Sequence, residues 1–231
     1  MKTVLSTKTL DQDMLAYAQT QNLDVHCMDF IETTGFPFNL EYIKSRPFDA
    51  VAFTSASAVK YFFENHEAAA FIRGKQIFAI RGKTQDELLA KGITPDITGS
   101  SAHELALTII KSNSAKDILH VCGNIRLPVL EDEMRNAGIL YTDLMVYQTG
   151  TKAKKTNKNF DAILFYSPSG VESFLTLNNL NSNPVCCCIG NTTAQTLKEK
   201  TSAANIIISK EPSPQSMLSE VSNYFQNHSQ S

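Results

Sequence analysis

Apolar and polar positions along the chain fall into a repeating rhythm. A short apolar run is followed by a turn of small polar residues, then by a stretch with apolar positions three and four apart. The runs read as buried strands and the stretches as helices. The pattern predicts strands at 3–5, 23–30, 49–53, 76–80, 94–97, 117–122, 139–146, 161–166, 185–189 and 205–208. It predicts helices at 11–21, 39–44, 56–66, 84–91, 101–111, 127–136, 168–177, 193–200 and 213–227. Ser101, three residues before Glu104, has the form of a capping box. Residues 33–37 break the rhythm and read as a linker, 150–159 as a basic linker or anion patch, and 229–231 as a frayed tail. Strands and helices alternate throughout, and the strands are continuous apolar runs. That combination predicts parallel sheets covered on both faces.

The stretch from Phe48 to Phe62 returns 112 residues later as Phe160 to Phe174, with 8 of 15 positions identical. An internal duplication explains this best. The middle block ends in an extra strand–turn–helix–strand unit, 117–146, which the C-terminal block lacks and the N-terminal segment supplies. The expected organisation is therefore a discontinuous domain, 1–33 plus 150–231, and a second domain, 37–146. Crossings lie at 32–37 and 147–152. The fold class is α/β, with two Rossmann-like (flavodoxin-like) parallel-sheet domains on a two-stranded linker. A ligand site is expected in the cleft between them.

Composition narrows the function. At 231 residues with 42% hydrophobic positions, the chain has enough material for two such domains. A net charge of −2 gives no basic field for nucleic acid or an anionic membrane. No apolar run reaches transmembrane length, and no signal segment precedes the first strand, so a cytoplasmic protein is expected. The five Cys residues lie in strand-like runs and read as buried reduced thiols. The five His residues show no metal-ligand spacing, so no metal is expected.

Ligands of doubly wound sheets bind beyond the C-terminal ends of strands, at helix N-termini. Turns of that kind hold Thr54, Ser55 and Ser57; Arg81, Lys83 and Thr84; Asn124 and Arg126; Ser167, Ser169, Gly170 and Val171; and Gly190, Thr192 and Thr193. Their Gly, Ser and Thr residues either cap helices or let backbone N–H groups approach an anion. No P-loop and no dinucleotide fingerprint is present. Asp49 and Asp161 precede strands and read as turn residues. Tyr147, at an expected crossing, is the one proton donor the topology places near the cleft; its other reading is a hinge aromatic.

These segments resemble the uroporphyrinogen-III synthase family over nearly the whole chain. The likeness rests on Phe53-Thr54-Ser55, Cys122-Gly123-Asn124-Ile125-Arg126, Val146-Tyr147-Gln148-Thr149, Phe165 to Val171, Ile189 to Ala194 and Ser213 to Leu218. It implies a cofactor-independent cyclising lyase of haem biosynthesis that acts on hydroxymethylbilane, a linear tetrapyrrole with eight carboxylates. The implied route loses hydroxide, attacks ring D to give a spiro intermediate, and recloses with ring D inverted. The substrate cyclises unaided to the uninverted isomer, so the enzyme's work is mainly positioning. By motif, Tyr147 is the implied proton donor, and Ser167 and Thr193 contact acetate or propionate groups. The family often has Gly at position 81 and Arg at position 57; here Arg81 and Ser57 stand there, and Arg81 or Lys83 is the expected substitute charge. A monomer is expected. The competing reading is a non-catalytic two-domain binding module for an anionic metabolite.

Overall fold

The computed structural model describes residues 1–202 and 205–228. The expected tail at 229–231 lies outside the described residues. The elements begin with β1 (Lys2–Ser6), α1 (Gln12–Thr20), β2 (Leu23–Cys27) and β3 (Ile31–Gly35). The middle of the chain holds α2 (Leu40–Lys44), β4 (Ala50–Phe53), α3 (Ala56–Phe62), α4 (Ala68–Phe71), β5 (Gln76–Ile80), α5 (Lys83–Ala90), β6 (Ile97–Gly99), α6 (Ala102–Ser112), β7 (Asp117–Gly123), α7 (Val129–Asn136) and β8 (Leu140–Thr151). The last part holds β9 (Ala162–Phe165), α8 (Pro168–Leu177), β10 (Val185–Cys188), α9 (Asn191–Lys200), β11 (Ile206–Ile208) and α10 (Pro214–His228).

The chain forms two compact units: Met1–Glu32 with Gly150–Ser231, and Thr33–Thr149. In the first unit the strand order is β11-β10-β9-β1-β2, all paired in parallel. Val4, Leu164 and Cys187 pack on one face of this sheet, and Leu5, Phe165 and Cys188 on the other. In the second unit the order is β3-β8-β7-β4-β5-β6. Phe53, Leu119 and Val121 pack on one face there, and Ala52, Phe78 and Ile118 on the other. Burial on both faces is why these strands read as unbroken apolar runs.

The structure departs from the periodicity where polar strands are exposed. Residues 31–35 are an edge strand rather than a linker; the β-branched Ile31, Thr33 and Thr34 favour it, and exposure hides it from a hydrophobic pattern. β8 runs on through Thr151, so Tyr147 sits inside a strand and the basic linker starts later than expected. α3 stops at Phe62, and Asn65, accepting from the Glu67 N–H at 2.9 Å, opens a separate turn of helix. β6 begins later than expected because Asp96 clamps its start, its carboxylate accepting from the Ile77 N–H at 2.7 Å. β2 ends at Cys27, which is exposed because β2 is an edge strand; the thiols are therefore not all buried.

Asp49 and Asp161 are strand clamps rather than simple turn residues. Asp49 accepts from the N–H groups of Lys116 and Asp117 at 2.7 and 3.0 Å, holding the start of β7. Asp161 accepts from the Thr3 N–H at 2.8 Å, from the Thr3 hydroxyl and from Lys2, holding β1. Among the described residues, no helix is long and apolar enough to cross a membrane.

Candidate active site

In the Thr33–Thr149 unit, three strand ends bring polar groups together. The turn after β4 carries Thr54 and Ser55. Ser55 caps α3, its Oγ accepting from the Ala58 N–H at 3.1 Å, and the same oxygen lies 3.0 Å from the Tyr147 hydroxyl. Tyr147 is 8% exposed. Its ring stacks on Tyr61 at 5.9 Å and lies flat against Gly123, where an added Cβ would stand 2.4 Å from Cζ. Gly123 is therefore a packing requirement of Tyr147. Ser57 is half-buried in the first turn of α3, next to the Ala56 N–H.

The neighbouring turn after β7 is already occupied by protein partners. Asn124 accepts from the Thr149 N–H at 2.7 Å and donates to the Thr149 carbonyl at 3.3 Å, so its amide anchors β8. Arg126 pairs with Glu131 at 2.9 Å and with Asp143. Both side chains are thus engaged within the protein. Arg81, the expected substitute charge, is likewise bound to Glu104 at 2.5 Å. The Ser100 hydroxyl and N–H, together with Arg81, hold the Glu104 carboxyl down at about 2. That carboxylate reaches the N–H of Ser100 at 2.9 Å, while the Ser101 hydroxyl accepts from the Glu104 N–H, so the capping box is closed one residue early. Lys83 is exposed and Thr84 buried at the start of α5, behind Gly82, which has φ 80° and offers no side-chain cap.

In the other unit, Ser167 caps α8, its Oγ accepting from the Gly170 N–H at 3.0 Å and lying 3.1 Å from Ser169 Oγ. Val171, expected as a direct contact, is fully buried and its N–H donates to the Ser167 carbonyl. Pro168 has no N–H, so Ser169 keeps the one first-turn donor of α8 that no described residue takes. α9 differs. Gly190 brings no capping side chain, and the N–H groups of Asn191, Thr192 and Thr193 have no partner among the described residues. No acidic residue stands in that turn, so its partial positive charge is uncompensated. Thr193 is buried and Thr192 exposed.

Two contributors escaped the sequence reading. The turn after β1 has the same strand-then-polar form as the others. There Thr7 Oγ1 would lie 3.8 Å from a Cβ on Gly170, and Lys8 Nζ stands 6.0 Å from the Tyr166 ring. Burial pushes the Tyr166 phenol up to about 12, against a hydrogen bond with Ser6. The second contributor is His120, which is buried with its Nε2 at 2.9 Å from Thr54 Oγ1.

A family model described as Uroporphyrinogen-III synthase HemD matches residues 14–219. Among solved structures, the fold is similar to uroporphyrinogen-III synthetase from Helicobacter pylori, with a TM-score of 0.74, 19% identity, and 97% of this chain and 100% of that one covered. It is also similar to a mutant uroporphyrinogen III synthase from Thermus thermophilus, with a TM-score of 0.58, 17% identity, and 99% and 100% covered. No curated protein sequence matches.

Proposed function

From the premise that this chain belongs to the uroporphyrinogen-III synthase family, we propose which of its residues carry the reaction. The reaction closes hydroxymethylbilane to uroporphyrinogen III with loss of water and inversion of ring D. Departure of the hydroxyl group needs a proton. Tyr147 supplies it. The observation that carries this is the 3.0 Å contact between Tyr147 and Ser55 at the end of β4. Ser55 Oγ accepts from the Ala58 N–H and keeps its own O–H; in the proposed arrangement that O–H donates to the Tyr147 oxygen, which leaves the phenolic O–H to donate outward. The hydroxyl leaves as water with that proton, and the pyrrole N–H of the resulting cation gives up a proton that restores the phenol, directly or through solvent, as the azafulvene forms.

The substrate's carboxylates are met chiefly by backbone. The three untaken N–H groups of α9, from Asn191 to Thr193, form the strongest anion seat, and Ser169 supplies a further N–H donor. Thr54, Ser57, Lys83 and Thr84 serve the same end in the other unit. Asn124 and Arg126 act by fixing β8 and the turn after β7. The net charge of −2 supports an anion bound locally rather than through a general basic field. The same features support a cytoplasmic enzyme that needs neither nucleic acid nor membrane.

The test is to supply freshly made hydroxymethylbilane and separate the product isomers. The reading expects uroporphyrinogen III. A product containing only the uninverted isomer I, as forms without enzyme, would sink it.

A further inference from the structure

His120 and Cys122 lie two apart on β7 and so share a face. On the neighbouring strand β8, Asp143 stands opposite His120, and Tyr141 stands opposite Ile118, two residues before it. Tyr141 OH is 2.6 Å from His120 Nδ1, and Asp143 Oδ1 is 3.2 Å from the same nitrogen. Arg126 binds the other oxygen of Asp143. On its far side His120 reaches Thr54 through Nε2.

The ligand-type atoms of His120, Cys122 and Asp143 fall within 4.8 Å of one another, which suggests a metal. The Arg126 guanidinium already supplies a positive charge to Asp143 at this cluster. The cluster reads instead as a chain of hydrogen bonds that ends on the Thr54 hydroxyl.

We propose that His120 is a positioning residue: its Nε2–H donates to Thr54 Oγ1 and thereby turns the Thr54 O–H outward toward a substrate carboxylate. In this arrangement the shorter of the two Nδ1 contacts, 2.6 Å to Tyr141, has the phenol O–H donating into the Nδ1 lone pair in place of an Nδ1–H donating to Asp143 at 3.2 Å. That leaves the ring proton on Nε2. Asp143 beside the ring is held by Arg126 through its other oxygen. The other copy of the fold has no such device. There Ser6 stands at the position of His120, and it meets Tyr166 at 3.4 Å. The proposal rests on Thr54 as a substrate contact, so its test has two arms.

In the first arm, ¹⁵N shifts of the free protein's imidazoles are measured, with His120→Gln used to assign the resonance. A protonated Nε2 is expected at His120. A bare Nε2 accepting from Thr54 overturns the proposal whatever Thr54 does with substrate. In the second arm, KM and kcat are measured for Thr54→Val, His120→Leu and the double variant. Each single change should raise KM by up to about tenfold with kcat little changed, the size of one neutral hydrogen bond. The double should raise it no further. Additive effects overturn the coupling. A KM unmoved by Thr54→Val overturns Thr54 as a contact, and with it the outward role of its hydroxyl, while the first arm still reports on the hydrogen bond itself. His120→Gln, which keeps a polar group facing Thr54, should recover most of the lost affinity if the Leu variant is too unstable to assay.

Discussion

Ser55 and Ser167 occupy the same place in two copies of one strand–turn–helix unit. Each caps its helix through the N–H three residues on, at 3.1 and 3.0 Å. The clamps behind them match as well: Asp49 holds β7 and Asp161 holds β1. The strand orders correspond, β6-β5-β4-β7-β8 against β11-β10-β9-β1-β2. What differs is the chemistry hung on this common frame. Ser55 touches a tyrosine hydroxyl and its neighbour Thr54 touches His120. Among the described residues, Ser167 Oγ meets only Ser169 beyond its cap, beside an α9 with no capping side chain and three N–H donors without a partner. Duplication kept the backbone bonds that fold each copy. The side chains then diverged, and in the proposed function one copy serves proton chemistry and the other anion binding.

That contrast can be broken from either side. The largest effect is expected for Tyr147→Phe. Removing a general acid costs ~10²–10⁴-fold in rate, so kcat should fall by that order with KM little changed. An unchanged rate would remove Tyr147 from the mechanism. Gly123→Ala comes next. Its Cβ would meet the Tyr147 ring at 2.4 Å, and the ring must move off Ser55. Overpacking of this kind costs about 1–3 kcal/mol, so a lower melting temperature and a rate loss of about tenfold or more are expected together. A variant with full activity would show that the ring position is unimportant.

The smallest effect concerns acid. The Thr3 N–H, Lys2 and the Thr3 hydroxyl hold the Asp161 carboxyl below its usual range despite the opposing effect of burial. A depressed pKa in the folded state means the unfolded chain takes up the proton first as pH falls. The stability it contributes is therefore present above the ordinary carboxylate range, about pH 4, and is lost below it. Asp161→Asn should flatten the melting temperature's dependence on pH in that range.

Much of the fold was legible because its strands are buried on both faces and its helices are amphipathic. The repeat at Phe48 and Phe160 was legible because core residues and caps recur in place. β3 was hidden by exposure, and the extension of β8 by its polar residues. The site was legible only to the level of its turns. Whether a polar side chain in a turn is free depends on partners distant in sequence. Asn124 is taken by Thr149, Arg126 by Asp143 and Arg81 by Glu104. His120 gave no spacing signal, since it meets Thr54, 66 residues earlier, only once β4 and β7 pair.

The division of labour is tested most directly by comparing Ser55→Ala with Ser167→Ala at saturating and at limiting hydroxymethylbilane. Both lose a helix cap worth about 1 kcal/mol, so their melting temperatures should fall alike and stability is controlled within the pair. Ser55→Ala should lower kcat, because Tyr147 loses its oriented partner. Ser167→Ala should raise KM and leave kcat in place. Equal losses of kcat in the two variants, or a loss of kcat in Ser167→Ala alone, would contradict the account.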